Sequence, residues 1–372
     1  MAGLATLQQL LDPRELIPHY TAMPQILEYF FTKTFYDALS PRPTDSDSVR
    51  MISISATATP GAGNVRNGKA RVLKPKGASE RFFSMFRYFT EMPLEADALR
   101  ALRELDSPSM QAKGREIVEM AQEESKILAS LFKEVVLAQQ LTVGRVNLDA
   151  SGNILVPSVH ATTGVITDNA STVISADFGV ADTHRGNLNG TIAALWSVAG
   201  TKIPDQLEAL DRVCDIAGVP RVKDIWLNPV CKLNLRNNTQ FNDWAKYNTL
   251  RADEVLRGDG IEGLWGRNWH FVGGTWTDSG GTTRDLIPQT SGIFTPAIGP
   301  WLRAFAGSEL IDTSNLITSD LLAALNSLIT VYGPFAYGET TRNPTGLSYF
   351  QGDNFGLGFA DPNAIWMPTL FA

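Results

Sequence analysis

Residues Ser107 to Gln140 read SPSMQAKGREIVEMAQEESKILASLFKEVVLAQQ and have the clearest periodicity in the chain. Apolar side chains recur there at helical spacing along one stripe: Ile117, Met120, Ala121, Leu128, Leu131, Val135 and Ala138. A Ser-Pro pair is a typical helix start. We therefore predict a helix over about 108–140, roughly 45 Å long at 1.5 Å per residue. Charged side chains are expected on the rest of its surface: Glu116, Glu119, Glu123, Lys126 and Lys133.

The sequence before this helix predicts a long β-hairpin. Residues 52–59 alternate between apolar and hydroxyl side chains, a Pro-Gly-Ala-Gly turn follows at 60–63, and a second extended run covers 70–74. The return limb, residues 66–81, carries six cations and one acid, Glu80. Because isolated two-stranded ribbons are marginal in water, we expect this hairpin to lie on another surface.

The sequence after the helix alternates strands with helices. We predict a hairpin from residues 143–148 and 154–156, and helices over 205–217, 230–237 and 241–244. Predicted strands cover 173–178, 224–227 and 269–276. Residues 316–335 are interpreted as an amphipathic core helix, because their apolar side chains fall at helical spacing. This order favours an α+β or α/β fold.

Composition excludes several classes of protein. The chain has 372 residues, 44% of them hydrophobic, and a formal net charge of −7. A disordered chain or a strongly basic nucleic-acid binder would have a different balance. Charged residues make up only 19%, against roughly 25% in an average soluble domain. Residues 301–372 hold only eight of them. Scarce charge at ordinary hydrophobicity suggests a surface that other protein covers.

No residue pattern predicts catalysis, a metal site or a cofactor. Cys214 and Cys231 lack metal-site spacing and are expected to be core residues. The four histidines are scattered through the chain. Residues 63–69 match G-x-x-x-x-G-K, but Ala70 replaces the Ser or Thr of a phosphate-binding loop, and an extended run replaces its helix. We interpret that match as a hairpin turn.

In order and spacing, the sequence resembles the gene E family of tailed-phage major capsid proteins, typified by phage lambda, within the Hong Kong 97-type fold. The resemblance covers nearly the whole chain. It rests on these segments: PQILEYFFTKTF (24–35), LKPK (73–76), DSP (106–108) with residues 116–133, VISADFG (173–179), Trp196 with residues 204–218, and Asn343-Pro344 through residues 361–365.

The resemblance implies an α+β subunit with five parts. These are an N-terminal arm (1–48), an extended β-hairpin loop (49–90), a peripheral domain with the long spine helix (91–162), an axial domain (163–340) and a return to the peripheral domain (341–372). It also implies a structural, non-enzymatic protein that forms hexamers and pentamers of an icosahedral shell around double-stranded DNA. Expected partners are a portal, a scaffolding protein, a decoration protein and weakly contacted DNA. The chain would be assembled in the host bacterial cytoplasm and end in the virion.

Two arm residues and the cations of the return limb are our candidate inter-subunit contacts: Phe30, Phe31, Arg66, Lys69, Arg71, Lys74, Lys76 and Arg81. We expect the cations to meet acidic surface on a neighbouring subunit. Two alternatives stay open. One is a prophage-derived shell that encloses protein cargo, and the other is an α/β enzyme with an unrecognised site.

Overall fold

The computed structural model describes residues 29–46, 48–54, 78–94, 108–248, 256–312, 328–342 and 345–371. The α-helices are α1 (Pro108–Val143), α2 (Ile203–Ala217), α3 (Cys231–Asn237) and α4 (Thr239–Tyr247). The strands are β1 (Arg42–Thr44), β2 (Ser48–Ile54), β3 (Ala78–Ser84), β4 (Phe86–Leu94), β5 (Arg145–Leu148), β6 (Ile154–Leu155), β7 (Ser158–Val159), β8 (Ile166–Thr167), β9 (Ile174–Asp177), β10 (Arg185–Gly186), β11 (Asp224–Leu227), β12 (Gly260–Leu264), β13 (Arg267–Phe271), β14 (Thr275–Thr277), β15 (Thr283–Asp285), β16 (Gly292–Thr295), β17 (Leu302–Asp312), β18 (Leu328–Tyr332), β19 (Pro334–Arg342), β20 (Thr345–Phe359) and β21 (Met367–Pro368).

The chain divides into two compact units. Unit 1 draws its described residues from 29–49, 84–134 and 304–357. Unit 2 draws its described residues from 50–83, 135–303 and 358–371. These boundaries rest on spatial contacts, and the five-part division of the sequence stays a prediction.

Unit 1 is built on a six-stranded sheet. Its strand order is β1-β17-β20-β19, with β18 also paired to β17 and β4 also paired to β20. β20 is central, since it runs antiparallel to both β19 and β4. A short arm segment precedes the sheet, with a π-helical turn at Thr32–Tyr36 and a 3₁₀ turn at Asp37–Leu39.

Helix α1 confirms the predicted long helix and extends to Val143. Pro108 is its first residue, where the missing N–H costs nothing. Gly144 ends it in the left-handed region at φ +76°, a conformation that suits glycine. Within unit 2, the buried Arg185 guanidinium donates to the Val143 carbonyl at 2.6 Å, which satisfies one of the free carbonyls at the helix end.

Unit 2 is built around a four-stranded sheet of order β12-β13-β11-β16. Its core contains Trp196, whose ring lies 5.5 Å from that of Trp269 and 5.7 Å from that of Phe294. Helix α2 ends where the sequence predicted, because Gly218 adopts φ +71° and its N–H bonds the last turn. Asn238 caps the start of helix α4, since its side chain accepts from the N–H groups of Gln240 and Phe241.

The predicted hairpin of residues 143–156 is confirmed by β5 and β6, and the strand near 173–178 by β9. The base of the predicted long hairpin is present as the pair β2–β3. The predicted return strand at 70–74 lies outside the described residues.

Two element predictions are wrong in part. Of the helix expected over 316–335, residues 328–332 and 334–335 are strand, and 313–327 lie outside the described residues. Its β-branched and aromatic side chains suit a strand paired with β17, and Gly333 at φ +77° turns the chain between β18 and β19. The strand expected over 269–276 is split into β13 and β14, with Gly273 and Gly274 between them.

Candidate functional site

The arm segment of unit 1 is held to helix α1 and the sheet by a buried polar cluster. We call this cluster the arm anchor and define it as Thr32, Tyr36, Lys133, Glu134 and Asp353. Apart from Tyr36, its side chains are polar or charged, and all five residues are at least nine-tenths buried. Charged groups are rarely buried unless they are paired, so each has to be accounted for by a partner.

Glu134 receives the arm backbone directly. Its carboxylate accepts from the Phe31 N–H at 2.7 Å, the Thr32 N–H at 2.8 Å and the Thr32 hydroxyl at 2.9 Å. Burial raises the pKa of this carboxyl, and the hydrogen bonds from the arm partly oppose that rise. One side chain of α1 thus satisfies donors at the start of the arm's helical turn, which would otherwise be unpaired.

Lys133 links the arm to the sheet. Its Nζ lies 3.0 Å from Asp353 Oδ2, with only 10% of each side chain exposed. The same ammonium lies 3.8 Å from the centre of the Tyr36 ring and 5.2 Å from that of Phe355. The Tyr36 hydroxyl in turn donates to the Phe305 carbonyl at 2.7 Å. The expectation that Lys133 is a surface charge is therefore wrong, because Lys133 is buried against Asp353. Its sequence neighbours do not indicate this, since Asp353 is 220 residues away.

Burial and neighbouring charge shift the pKa values of Tyr36 in the anchor and of Asp37 next to it. Burial raises the pKa of Tyr36 strongly, and the carboxylates of Asp353 and Asp37 raise it further. Burial also raises the pKa of Asp37, with Lys133 acting in the opposite direction. The charges of Lys133 and Asp353 thus act on Asp37 and Tyr36 as well as on each other.

The predicted arm contacts differ from one another in exposure. Phe31 is 0% exposed and its ring stacks 6.0 Å from that of the buried Phe35. In this conformation the single chain uses Phe31 in its own core and leaves no ring surface for a neighbour. Phe30 is half-buried, with its ring edge-on to Phe31 at 5.4 Å. The inter-subunit role of Phe30 stays a prediction.

The predicted basic contacts are mostly outside the described residues. This holds for Arg66, Lys69, Arg71, Lys74 and Lys76. Arg81 belongs to β3, in the paired base of the long hairpin. Sequence reasoning missed the arm anchor, because no local pattern connects residues 32, 134 and 353.

Unit 2 exposes several large apolar side chains. Val230 and Leu233, at the start of α3, are 52% and 60% exposed, and Tyr247 at the end of α4 is 89% exposed. Such side chains are suited to contact another protein surface.

Neither a metal centre nor a reactive thiol is found in the described part of the chain. No group of three His, Cys, Asp or Glu residues there could hold a metal ion. Cys214 and Cys231 are buried, and burial raises their thiol pKa values to about 11 and about 12. His184 stacks on Trp366 with 3.7 Å between ring centres. None of the helices among these residues is long and apolar enough to cross a membrane.

Comparison with known proteins identifies solved structures that are similar to this chain. The chain matches the candidate capsid protein of a prophage in E. coli CFT073 with a TM-score of 0.54 and 10% identity, over 97% of this chain and 99% of that one. It also matches the capsid of cyanophage A-1(L) (TM-score 0.47, 11% identity, 94% of each chain) and the mature capsid of bacteriophage PhiM1 (TM-score 0.45, 10% identity, 93% and 88%). No family model and no curated protein sequence matches the chain. The first likeness shows a shared fold across nearly the full length of both chains.

Proposed function

We propose that this chain, which has the Hong Kong 97-type fold of phage capsid proteins, is the major capsid protein of a tailed phage and builds its icosahedral head. The observation that carries the proposal is the fold likeness to the prophage protein over 97% of the chain. A match confined to one domain would leave the rest of the chain free for another function. A fold alone does not fix function, so support from this chain's own residues is needed as well.

That support comes from surface that is suited to be covered by other protein. The chain is poor in charge, and unit 2 exposes large apolar side chains at Val230, Leu233 and Tyr247. Copies of the chain packed in a lattice would bury such side chains. Closed rings of copies give hexamers and pentamers, and these close into a shell.

The proposal has finer parts. We infer that the chain belongs to the gene E type, with an arm, an extended loop, peripheral and axial domains and a returning C-terminal segment as divided above. Portal, scaffolding and decoration proteins are the proposed partners, the host cytoplasm is the proposed place of assembly, and the role is structural and not enzymatic. The packaged DNA would be contacted weakly, since a strongly basic lining would hold the genome and obstruct its release.

Particle size tests the proposal directly. The full-length protein, purified at high concentration, should form shells, capsomers or tubes of tens of nanometres in negative-stain electron microscopy and light scattering. A well-behaved monomer of about 40 kDa under conditions that assemble a known phage capsid protein would contradict it.

A further inference from the structure

A row of buried polar side chains lines the contact between α1 and β20 in unit 1. Gln122 and Ser125 of α1 are 2% and 0% exposed, and Tyr349, Gln351 and Asp353 of β20 are 0%, 0% and 7% exposed. We call these five residues the polar seam. The interface between a helix and a sheet is ordinarily apolar, so a polar row at its centre requires a reason.

Several polar atoms of the seam have no hydrogen-bond partner in the protein. They are Gln122 Oε1, Ser125 Oγ, Tyr349 Oη, Asp353 Oδ1 and both Oε1 and Nε2 of Gln351. Gln351 is the extreme case, because its whole amide is buried and unpaired. Buried polar groups in folded proteins are almost always hydrogen-bonded to protein or to ordered water.

Two contacts at the ends of the seam place Gln351 between them. At one end, Gln122 lies beside the Tyr349 hydroxyl: burial raises the pKa of this hydroxyl, and the nearby Gln122 side chain partly opposes the rise. At the other end, Lys133 Nζ is 3.0 Å from Asp353 Oδ2. From Gln122 to Lys133 the helix rises roughly 16 Å, and from Tyr349 to Asp353 the strand rises roughly 13 Å. The two elements therefore run side by side in the same direction over similar lengths.

Gln351 therefore lies opposite the middle of this helical stretch, near the level of Ser125 and Ala129. Ala129 is 3% exposed, and its methyl side chain offers no polar partner to a neighbouring group. The unpaired atoms thus belong to one contiguous part of the interface.

The chemistry of the unpaired atoms selects the ligand. They comprise acceptors (Gln122 Oε1, Gln351 Oε1 and Asp353 Oδ1), a donor (Gln351 Nε2) and two hydroxyls that do both (Ser125 and Tyr349). A cation would satisfy the acceptors only and would meet the Lys133 ammonium, while an anion would meet the Asp353 carboxylate. Water donates and accepts, and buried water typically makes about three such bonds.

We propose that the polar seam is an internal water-binding site, in which ordered water molecules bridge the Gln351 amide to Ser125 and to the free oxygen of Asp353. The site is independent of any assembly of the chain, since every residue in it belongs to unit 1.

The experiment pairs a density map with a stability measurement on the full-length protein. A map that resolves ordered water, from crystals or from whichever assembly the protein forms, should show peaks within about 2.7–3.2 Å of the Gln351 amide. The Gln351→Met variant keeps the side-chain length and removes both polar atoms. If water occupies the seam, this change leaves Ser125 and Asp353 without their bridge, and Tm should fall by about 2–4 °C.

The opposite sign would overturn the proposal. If the Gln351 amide is buried and dry, replacing it by Met removes an unpaired polar group and Tm should rise. A map without peaks at the amide, or with a direct protein partner there, would also overturn it. Gln289→Met is the matched control, since Gln289 is exposed and the same substitution should leave Tm nearly unchanged.

Discussion

Lys133 and Asp353 form an ion pair of 3.0 Å inside unit 1, with each side chain 10% exposed and the two residues 220 positions apart. The pair joins helix α1 to the central strand of the sheet, and the Tyr36 ring covers the ammonium at 3.8 Å. Three segments that are distant in sequence thus meet at the Lys133 ammonium.

Removing one partner of this pair should destabilise unit 1 strongly. Lys133→Met leaves the Asp353 carboxylate buried without its counter-charge, and we expect a loss of about 3–5 kcal/mol in the free energy of unfolding. Denaturant unfolding of the full-length protein measures it. Lys202→Met is the control, because the Lys202–Asp205 pair is 3.9 Å apart and about 70% exposed. Equal effects of the two substitutions would show that the buried pair has no special weight.

The Glu134 carboxylate should control how firmly the arm is attached. Glu134→Gln replaces one acceptor oxygen by an NH₂ group that faces arm donors, so we expect a loss of about 1–3 kcal/mol in local stability. Hydrogen exchange at the Phe31 and Thr32 amides should accelerate, because both donate to this carboxylate. Glu123→Gln, on the exposed face of the same helix, should leave those amides unchanged. Unaltered exchange in Glu134→Gln would contradict the anchor.

The pH dependence of stability should carry the sign of a raised carboxyl pKa. Burial raises the pKa of Glu134 above its ordinary value, so the folded state binds this proton more tightly than the unfolded state. Its contribution is fully present below the ordinary pKa of 4.5 and is lost as pH rises through the raised value. Unfolding measured between pH 4 and 8 should show wild type losing stability relative to Glu134→Gln as pH rises.

Asp215 provides a control of opposite sign for that titration. A hydrogen bond from Arg221 lowers its pKa, so its contribution is present at neutral pH and is lost as pH falls through the lowered value. The difference between wild type and Asp215→Asn should therefore slope the other way. This slope falls near and below the ordinary pKa of 3.8, so for this variant unfolding is measured down to more acidic pH. Slopes of the same sign for the two variants, each in its own pH range, would contradict at least one of the two assignments.

Gly352 should resist substitution because the sheet and an aromatic ring close over it. A Cβ atom there would meet the Tyr88 carbonyl oxygen and would lie 2.6 Å from Phe335 Cζ. We expect Gly352→Ala to cost about 1–3 kcal/mol, the usual cost of overpacking. Thermal unfolding of the full-length protein measures this loss. Gly200→Ala is the control: no atom lies within 4 Å of the new Cβ, so its stability should stay within about 0.5 kcal/mol of wild type.

Charge reversal in the return limb should slow or abolish assembly. Lys69→Glu with Arg71→Glu turns attraction to acidic surface into repulsion, which acts mainly on the rate of encounter. Light scattering after initiation of assembly measures this rate, and the wild-type rate should fall with added salt. Lys202→Glu with Arg212→Glu makes the same charge change at exposed positions of unit 2. An unchanged rate for the limb variant would refute the docking of the limb on a neighbour.

Local patterns were sufficient to predict much of the fold. The spine helix, the 205–217 helix and the strand at 224–227 follow from periodicity and from end signals such as Pro108 and Gly218, which act within a few residues. The family resemblance supplied the fold class, and the order of the five parts stays a prediction. The helix prediction for residues 328–335 was wrong because an apolar run at helical spacing also fits a strand. Pairing with β17 determines that the strand forms.

The arm anchor could not be predicted in the same way. A lysine and a glutamate on a long helix ordinarily face water, and only the approach of Thr32 and Asp353 makes burial of Lys133 and Glu134 favourable. Those partners lie 102 and 220 residues away. Their placement depends on the topology of the whole sheet, which no window of sequence contains.

Because unit 1 is made of segments far apart in sequence, its parts are synthesised at different times. Its described residues lie in 29–49, 84–134 and 304–357, so α1 leaves the ribosome long before β20 exists. At 5–20 residues per second, Lys133 waits roughly 10 to 45 s for Asp353 to be made. During that interval the helix lacks β20, the central strand of its sheet, while residues 135–303 of unit 2 are being made. The nascent chain therefore carries an unfinished hydrophobic and charged surface for most of its translation, and this is the interval in which a chaperone that binds helices would protect it.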